Sequence, residues 1–410
     1  MTAPKLRFKE FDGDWSNKKI GNIASKVGSG STPRGGAEAY TDHGVIFIRS
    51  QNVNNDQLLL DDVAYIPEET HLKMSGSKVI ANDILLNITG ASIGRSCVVP
   101  HDFTEANVNQ HVCIIRTPND NPIFVQSFLS SENGQNEIQS KQAGGGREGL
   151  NFQAIRSIDF HFPPSKEEQT KIATFLSAVD EKISQLSQKL HLLGQYKQGM
   201  MQKLFSQQIR FKADDGSEFG EWEERKLSDI CLKIKDGTHF SPKTLEVGDY
   251  KYLTSKNVKN GYLDFSNLEF VNAEDHKKIY SSCDVKFGDV LLTKDGTIGQ
   301  CCVNTLTEEF SLLSSVAFLR LKTQFNNYFL YHLLVSDFGQ REINGVIAGQ
   351  ALKRITLTKI NDFKFMFPCF EEQTKIANFL SAIDQKIDVV KEQLEQAKLW
   401  KKGLLQQMFV

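Results

Sequence analysis

Residues 167–173 read EEQTKIA, and residues 371–377 read EEQTKIA again. Both copies continue through a Phe-Leu-Ser-Ala step at 175–178 and 379–382, then an Asp-x-Lys-Ile step at 180–183 and 384–387. Both close on a related tail, KQGMMQKLF at 197–205 and KKGLLQQMF at 401–409. A chain with this repeat has two similar working units joined by two similar struts. It does one job at two places.

The struts carry the clearest periodicity. Apolar residues fall at Ile172, Leu176, Val179, Ile183, Leu186, Leu190 and Leu193 in the first copy. They recur at Ile376, Leu380, Ile383, Ile387, Val390, Leu394 and Ala397 in the second. Steps of four and three alternate throughout, which is a heptad seam. Lys, Glu, Gln, Asp and Ser fill most positions between, the solvated face of an amphipathic helix. Pro163, Pro164 and Pro368 precede the two helices and end the strands before them. Each strut is therefore read as a helix of about 40 residues, about 60 Å long. A lone helix with one apolar seam does not stay monomeric in water, so the two copies are expected to pair. Connectivity makes that pair an antiparallel coiled coil with a globular unit at each end. A pseudo-twofold axis relates the halves, and the end of the chain returns to its beginning.

The resulting segmentation is 1–163 for a first globular domain and 164–206 for a central helix. Residues 207–367 then form a second domain, and 368–410 a last helix. The globular parts share a thinner repeat. LRFKEFDGDW at 6–15 answers IRFKADDGSEFGEW at 209–222. DILL at 83–86 leads into TGASIG at 89–94, and DVLL at 289–292 leads into DGTIG at 295–299. Strand-like runs at 45–49, 112–116, 250–254 and 316–321 alternate with helical runs near 122–129 and 327–334. Gly-Gln pairs at 134–135 and 339–340 precede Gly-rich loops at 144–149 and 345–349. The class is α+β: two similar mixed α/β domains and two long helices.

Bulk properties narrow the function. The chain has 410 residues, 40% hydrophobic and 24% charged, with net charge −2, ordinary for a globular chain of two to three domains. No apolar run approaches the ~20 residues that span a bilayer. The opening MTAPKLRFKEF lacks a signal peptide's apolar core, so a cytoplasmic, membrane-free location is expected. The seven cysteines form no CxxC pair and are read as small buried hydrophobes. A nucleic-acid binder acting unaided usually carries a basic excess. With net charge −2, DNA binding must rest on local patches or on a partner's charge.

At these residues the chain resembles the specificity subunits of type I restriction–modification systems. The paired EEQxKIAxFLSxxDxKI helices carry the resemblance, with the LRF…W openings and KFGDVLLTKDGTIG at 286–299. DGTHFSP at 236–242 and its looser mirror VGSGSTP at 27–33 also fit. The resemblance implies two target-recognition domains, each reading one half of a bipartite DNA target. It implies that the paired helices set the spacer and dock two methyltransferase (M) subunits. Motor/nuclease (R) subunits would join the full complex. S-adenosylmethionine, ATP and Mg are then expected on those partners, and no cofactor on this chain.

Chemistry motifs are sparse. There is no G-x-x-x-x-G-K-[ST] phosphate loop. The FPPS at 162–165 lacks the leading amide or carboxylate of an amino-methyltransferase motif. Asp180-Glu181-Lys182 and Asp384-Gln385-Lys386 echo a nuclease metal site, but they flank heptad seams with no further carboxylates to hold Mg²⁺. No H-x-x-x-H pair is present. The expected protein is a non-catalytic DNA reader. The alternative is a self-sufficient DNA methyltransferase or nuclease with cryptic motifs; a coiled-coil adaptor that never touches DNA is weaker.

Reading bases takes side chains that reach base edges, Arg or Lys for guanine and Asn or Gln for adenine, while phosphate contacts set the register. In the first domain the polar loop clusters are Ser31, Thr32 and Arg34; Arg49, Gln51 and Asn52; Asn107, Asn109 and Gln110; and Arg147. In the second they are Thr238, His239 and Lys243; Lys256 and Asn257; Lys294; Lys353 and Arg354. The turns at 89–94 and 295–299 are read as structural. Phe124, Phe128, Phe329 and Leu333 are read as core, and Trp15 and Trp222 as packing anchors.

Overall fold

The computed structural model describes residues 3–409 except Arg34, Asn55, 143–148 and 348–353. Contacts divide the chain into two compact units. Unit 1 is Met1–Ser187 with Glu392–Val410, and unit 2 is Gln188–Lys391.

Strand Val112–Arg116 reads VCIIR and buries its first four side chains. Side chains alternate faces along a strand, so such a run must feed two cores. Cys113 and Ile115, with Ile84 and Leu86 of the neighbouring strand, pack among the helices and the aromatic cluster Trp15, Phe124, Phe128, Phe160 and Phe162. Val112 and Ile114, with Leu85, face a second core that contains Ile48, Val79 and Val108. Unit 2 repeats the division. Ala317, Leu319 and Leu292 join the helical core, while Val316, Phe318 and Leu291 join the second.

In unit 1 the antiparallel sheet runs Lys26–Ser29, Val112–Arg116, Ile84–Asn87, Ser96–Val98. A second sheet runs Ala64–Ile66, Val45–Ile48, Ala106–Val108, Lys78–Val79, with its two central strands parallel. In unit 2 the antiparallel sheet runs Cys231–Asp236, Val316–Leu321, Val290–Thr293, Cys301–Val303. Its second sheet has three strands, Glu269–Val271, Tyr250–Leu253 and Ser311–Leu312, the last two parallel. This is the α+β class expected. An aspartate–arginine pair braces each antiparallel sheet: Asp83 Oδ2 accepts from Arg116 Nη2 at 2.8 Å, and Asp289 Oδ2 from Arg320 Nη2 at 2.8 Å.

The long helices are Lys166–Phe205 and Phe370–Met408. Gly194, Gly199 and Gly403 do not interrupt them. In unit 1 the start of the first helix (Ile172, Ala173, Leu176, Val179) shares a core with the end of the second (Leu404, Leu405, Met408). In unit 2 the start of the second (Ile376, Ala377, Leu380, Ile383) shares a core with the end of the first (Met201, Leu204). Start meets end in each unit, so the segments run antiparallel there. Leu186, Val390 and Leu394 are also buried. Ile183, Leu190, Leu193 and Ile387 are half-buried. Ile172, Leu176, Val179, Ile376, Leu380 and Ile383 also close the core of the globular part beside them.

The repeated EEQ owes its residues to this closure. The second Glu receives an Arg and a Trp from the LRF…W opening. Glu168 accepts from Arg7 at 2.7 and 2.8 Å and from Trp15 Nε1 at 3.3 Å. Glu372 does the same for Arg210 and Trp222. The Gln fastens the next helix: Gln169 Oε1 accepts from Asn121 N–H at 2.9 Å, and Gln373 Oε1 from Asn326 N–H at 2.9 Å. Asn121 and Asn326 in turn cap Pro122–Ser130 and Asn327–Val335 with their side chains. Near the chain ends, Leu6 N–H donates to Gln407 O at 2.9 Å. Six cysteines are buried and Cys369 is exposed, so the buried-thiol reading is corrected for that one. Among the described residues no helix is long and apolar enough to cross a membrane.

Candidate nucleic-acid interface

Each unit gathers its polar loops by the same backbone scheme. In unit 1, Gly30 N–H donates to Asn109 O, and Asn109 N–H to Ile48 O. Thr89 bridges Gly149, and Leu150 N–H donates to Ile88 O. In unit 2, Thr238 N–H donates to Leu312 O and Leu313 N–H to Leu253 O. Asp295 bridges Arg354, and Ile355 N–H donates to Lys294 O. Glycine is needed where the first loop crosses the parallel strand. A Cβ at Gly30 would lie 1.7 Å from Val108 O, and one at Gly237 would lie 1.9 Å from Leu312 O.

The loops of unit 1 are tied side chain to side chain. Thr32 Oγ1 donates to Gln110 Oε1 at 2.5 Å. Gln110 Nε2 meets His111 Nε2 at 3.1 Å, and His111 Nδ1 meets Thr89 Oγ1 at 2.6 Å. The chain Thr32–Gln110–His111–Thr89 thus joins three loops. Ser31 is exposed beside it. Gln51 is exposed and donates to Asp62 Oδ2 at 2.7 Å, while Arg49 Nη2 lies 3.6 Å from Asp62 Oδ1. The buried Arg49 Nε has no hydrogen-bond partner among the described residues.

Among the described residues, unit 2 offers more positive charge. Lys243, Lys256 and Arg354 are exposed, and so is His239, whose Nε2 lies 3.3 Å from Asp236 Oδ2. Arg354 sits across the backbone bridge from the Asp295–Gly296 turn.

Several residues read as base contacts are instead interior. Asn52 and Asn257 are 2% and 3% exposed, with their amides consumed. Asn52 Oδ1 accepts from Arg49 N–H, and its Nδ2 donates to Leu59 O and Asp62 O. Asn257 Oδ1 accepts from Thr254 N–H, and its Nδ2 donates to Asp264 O. They shape their loops and do not present an edge. Asn107 is buried between His71, Met74 O and Ser77 Oγ. Beside it Glu105 pairs with His71 and Lys78, and the Lys78 hydrogen bond holds its carboxyl below the usual range. Asn109 is buried and accepts from His111 N–H; Thr238 is buried and accepts from Phe240 N–H. Lys294 is also buried, paired with Asp236 Oδ2 at 3.0 Å. Arg34, Arg147 and Lys353 lie outside the described residues.

The structure adds His111 in unit 1 and Asp236 in unit 2. His111 stood next to Gln110 in the sequence and was recoverable. Asp236 was hidden, because nothing in DGTH points to a buried lysine elsewhere in the chain. Phe124, Phe128, Phe329 and Leu333 are core, and Trp15 and Trp222 are buried anchors. Trp400 is 54% exposed and stands edge-on to Phe175 at 5.9 Å. Among the described residues, no group of three or more His, Cys, Asp or Glu is placed to hold a metal ion.

The duplicated arrangement has counterparts among known proteins. The profile of the type I restriction modification DNA specificity domain matches residues 12–193 and again 220–399. The type I restriction enzyme MjaVIII specificity subunit of Methanocaldococcus jannaschii is 26% identical over 349 residues, 82% of this chain and 80% of its own length. The crystal structure of the type I restriction–modification S subunit from M. genitalium superposes with TM-score 0.64 at 16% identity, covering 100% of this chain and 99% of that one. A chain from a study of type I restriction–modification complex assembly gives TM-score 0.55 at 14% identity over 97% and 98%. At these identities the two structures speak for the fold alone.

Proposed function

The chain belongs to the type I restriction–modification DNA specificity family, and from that premise we propose that it is the sequence-reading subunit of such a complex. Each unit reads one half of a bipartite DNA target through its loop cluster. The long helices set the unread spacer and dock two methyltransferase subunits, which motor/nuclease subunits join in the full assembly. S-adenosylmethionine, ATP and Mg act on those partners, and this chain performs no chemistry.

One observation carries the reading. The two units build the same loop framework and hang different exposed side chains on it. Arg49–Asn52 and Thr254–Asn257 close with the same pattern, an Asn Oδ1 accepting from the N–H three residues earlier. The groups then offered differ: Thr32, Gln51 and Gln110 in unit 1, His239, Lys243, Lys256 and Arg354 in unit 2. A repeated frame with unrepeated contacts is what two half-sites of different sequence require. With net charge −2 overall, much of the phosphate attraction falls to the partners.

The test is a reconstitution. The purified chain, incubated alone with DNA, S-adenosylmethionine and Mg²⁺, should neither methylate nor cleave. With its methyltransferase partner it should protect one specific sequence. Methyl transfer or cleavage by the chain alone overturns the reading.

A further inference from the structure

One oxygen atom in unit 2 links the interior to the surface. Asp236 Oδ2 lies 3.0 Å from Lys294 Nζ and 3.3 Å from His239 Nε2. The Lys294 side chain is 3% exposed, that of Asp236 10% and that of His239 66%. A buried lysine thus supplies the counter-charge of a nearly buried carboxylate, whose other neighbour is an exposed imidazole. The backbone under His239 is fixed as well. Gly237 crosses the parallel strand with no room for a Cβ. Thr238 N–H donates to Leu312 O at 2.7 Å, and Ser314 N–H to Thr238 O at 2.9 Å. On the far side of the histidine, Phe240 N–H donates to Thr238 Oγ1 at 3.2 Å.

Unit 1 lacks this arrangement. Strand pairing sets Ser29 opposite Cys113 where Asp236 stands opposite Ala317. Ile88 follows Asn87 in unit 1 as Lys294 follows Thr293 in the matching strand of unit 2. Two residues past the loop glycine, where unit 2 has His239, unit 1 has Thr32, tied to Gln110. The Lys294–Asp236–His239 group is therefore no part of the shared frame, and its chemistry belongs to one half-site. It also sets His239 apart within its own unit. Lys243 and Lys256 are exposed in the same loops, and no ion pair holds either among the described residues. Free ammonium groups suit phosphates. A planar ring held in place suits a base edge, because less freedom is lost when it makes contact.

A neutral imidazole carries one N–H donor and one acceptor nitrogen. The Asp236 carboxylate draws the proton to Nε2, the nitrogen that faces it. Nδ1, which has no hydrogen-bond partner among the described residues, is left as the acceptor. In the major groove the donors that such a group can meet are adenine N6 and cytosine N4. We propose that His239 reads the exocyclic amine of an adenine or a cytosine in the half-site of unit 2, with Asp236 and Lys294 as positioning residues. This assignment rests on the DNA-reading role proposed above and gives it one base position. Guanine and thymine, which present acceptors at the equivalent places, are refused there.

The experiment uses the full chain with its methyltransferase subunit, at about pH 8, where an ordinary histidine is neutral. The half-sites are taken from the map of methylated adenines. Binding is then measured on duplexes that vary one base of the unit 2 half-site at a time, the methylated adenine excepted. His239→Ala should relax one adenine or cytosine position about tenfold and leave all other positions, and the other half-site, as strict as before. At that position, replacing adenine by purine or cytosine by 2-pyrimidinone removes only the amine. Wild type should lose about tenfold on that replacement, and His239→Ala should not register it. The double variant Asp236→Ser, Lys294→Ile copies unit 1 and strands no charge. It should relax the same position and keep the strength of binding to unrelated DNA. Should the double variant fail to fold, the base replacement on wild type and His239→Ala still decides. Equal weakening of His239→Ala at cognate and unrelated DNA makes the residue a phosphate contact and overturns the proposal. So does a relaxed guanine or thymine position, or no relaxed position at all. A complex that prefers no sequence overturns the DNA-reading role, and this proposal with it.

Discussion

Arg210 grips Glu372 at two points, Nε to Oε1 at 3.1 Å and Nη2 to Oε2 at 2.6 Å, and Trp222 Nε1 adds a third donor at 3.2 Å. Glu372 is fully buried and Arg210 only partly exposed, at 0% and 20% of their side chains. The pair fastens the opening segment of the globular part of unit 2 to the start of its helix, and Arg7 with Glu168 repeats it in unit 1. Removing one partner of such a pair strands the other, at a cost of about 3 kcal/mol. Glu372→Ala should therefore speed amide hydrogen exchange through the helix and loops of unit 2 and leave the recognition loops of unit 1 protected. Uniform loss of protection over both units would show that the anchor is not local.

Acid should weaken unit 2 through His332. Its side chain is fully buried, with Nε2 3.1 Å from Ser381 Oγ and Nδ1 3.9 Å from Asp384 Oδ2. Burial, and then the Lys197 charge, push the imidazole down to about 3. An unfolded histidine titrates near ~6.5, so between these values the unfolded chain binds the extra proton. Stability is then fully present above that range and falls as pH drops through it, by about 1.4 kcal/mol per unit. Denaturant midpoints at pH 7 and pH 5 should separate in wild type and converge in His332→Gln. Equal separation in both proteins would assign the acid sensitivity elsewhere.

Lys256 is exposed beside the loop that Asn257 closes, which suits a phosphate contact better than a base contact. Lys256→Ala should weaken binding alike at cognate and unrelated DNA and lower the salt slope by about 1. Relaxed preference at one base position would make it a reader instead.

The helices are testable as a ruler. Four helix-forming residues inserted after Gly194 add about 6 Å and rotate the far end of the helix by about 40°. At about 3.4 Å per base pair, the unread spacer should lengthen by about one to two base pairs. One added pair turns the duplex by about 35°, so the groove still meets its reader. Half-site sequences should not change, because no loop is touched. An unchanged spacer with full activity would remove the helices from that role.

The repeat, the helices and the α+β class were legible because periodicity and self-similarity are local properties of a sequence. The roles of Glu168 and Gln169 were not, since their partners Arg7 and Asn121 are far away along the chain. The polar loops were located, but which amides face outward was not. Asn52 and Gln51 are adjacent and equally polar, yet one closes a turn and the other is exposed. Lys294 was misread for the same reason, because a lysine paired with a buried aspartate looks like any other until the two strands are brought together. Composition shows where hydrogen-bonding groups are, and the fold decides which remain unspent.

The central claim is that each unit reads its own half of the DNA target. It is tested most directly by mapping methylated adenines, by single-molecule sequencing, in a host expressing the whole system. The map is then repeated with residues 1–163 exchanged for those of another family member. The account predicts two short specified half-sites separated by an unread spacer of fixed length, with the exchange rewriting one half and leaving the other intact. A single continuous target, or an exchange that alters both halves together, would contradict it.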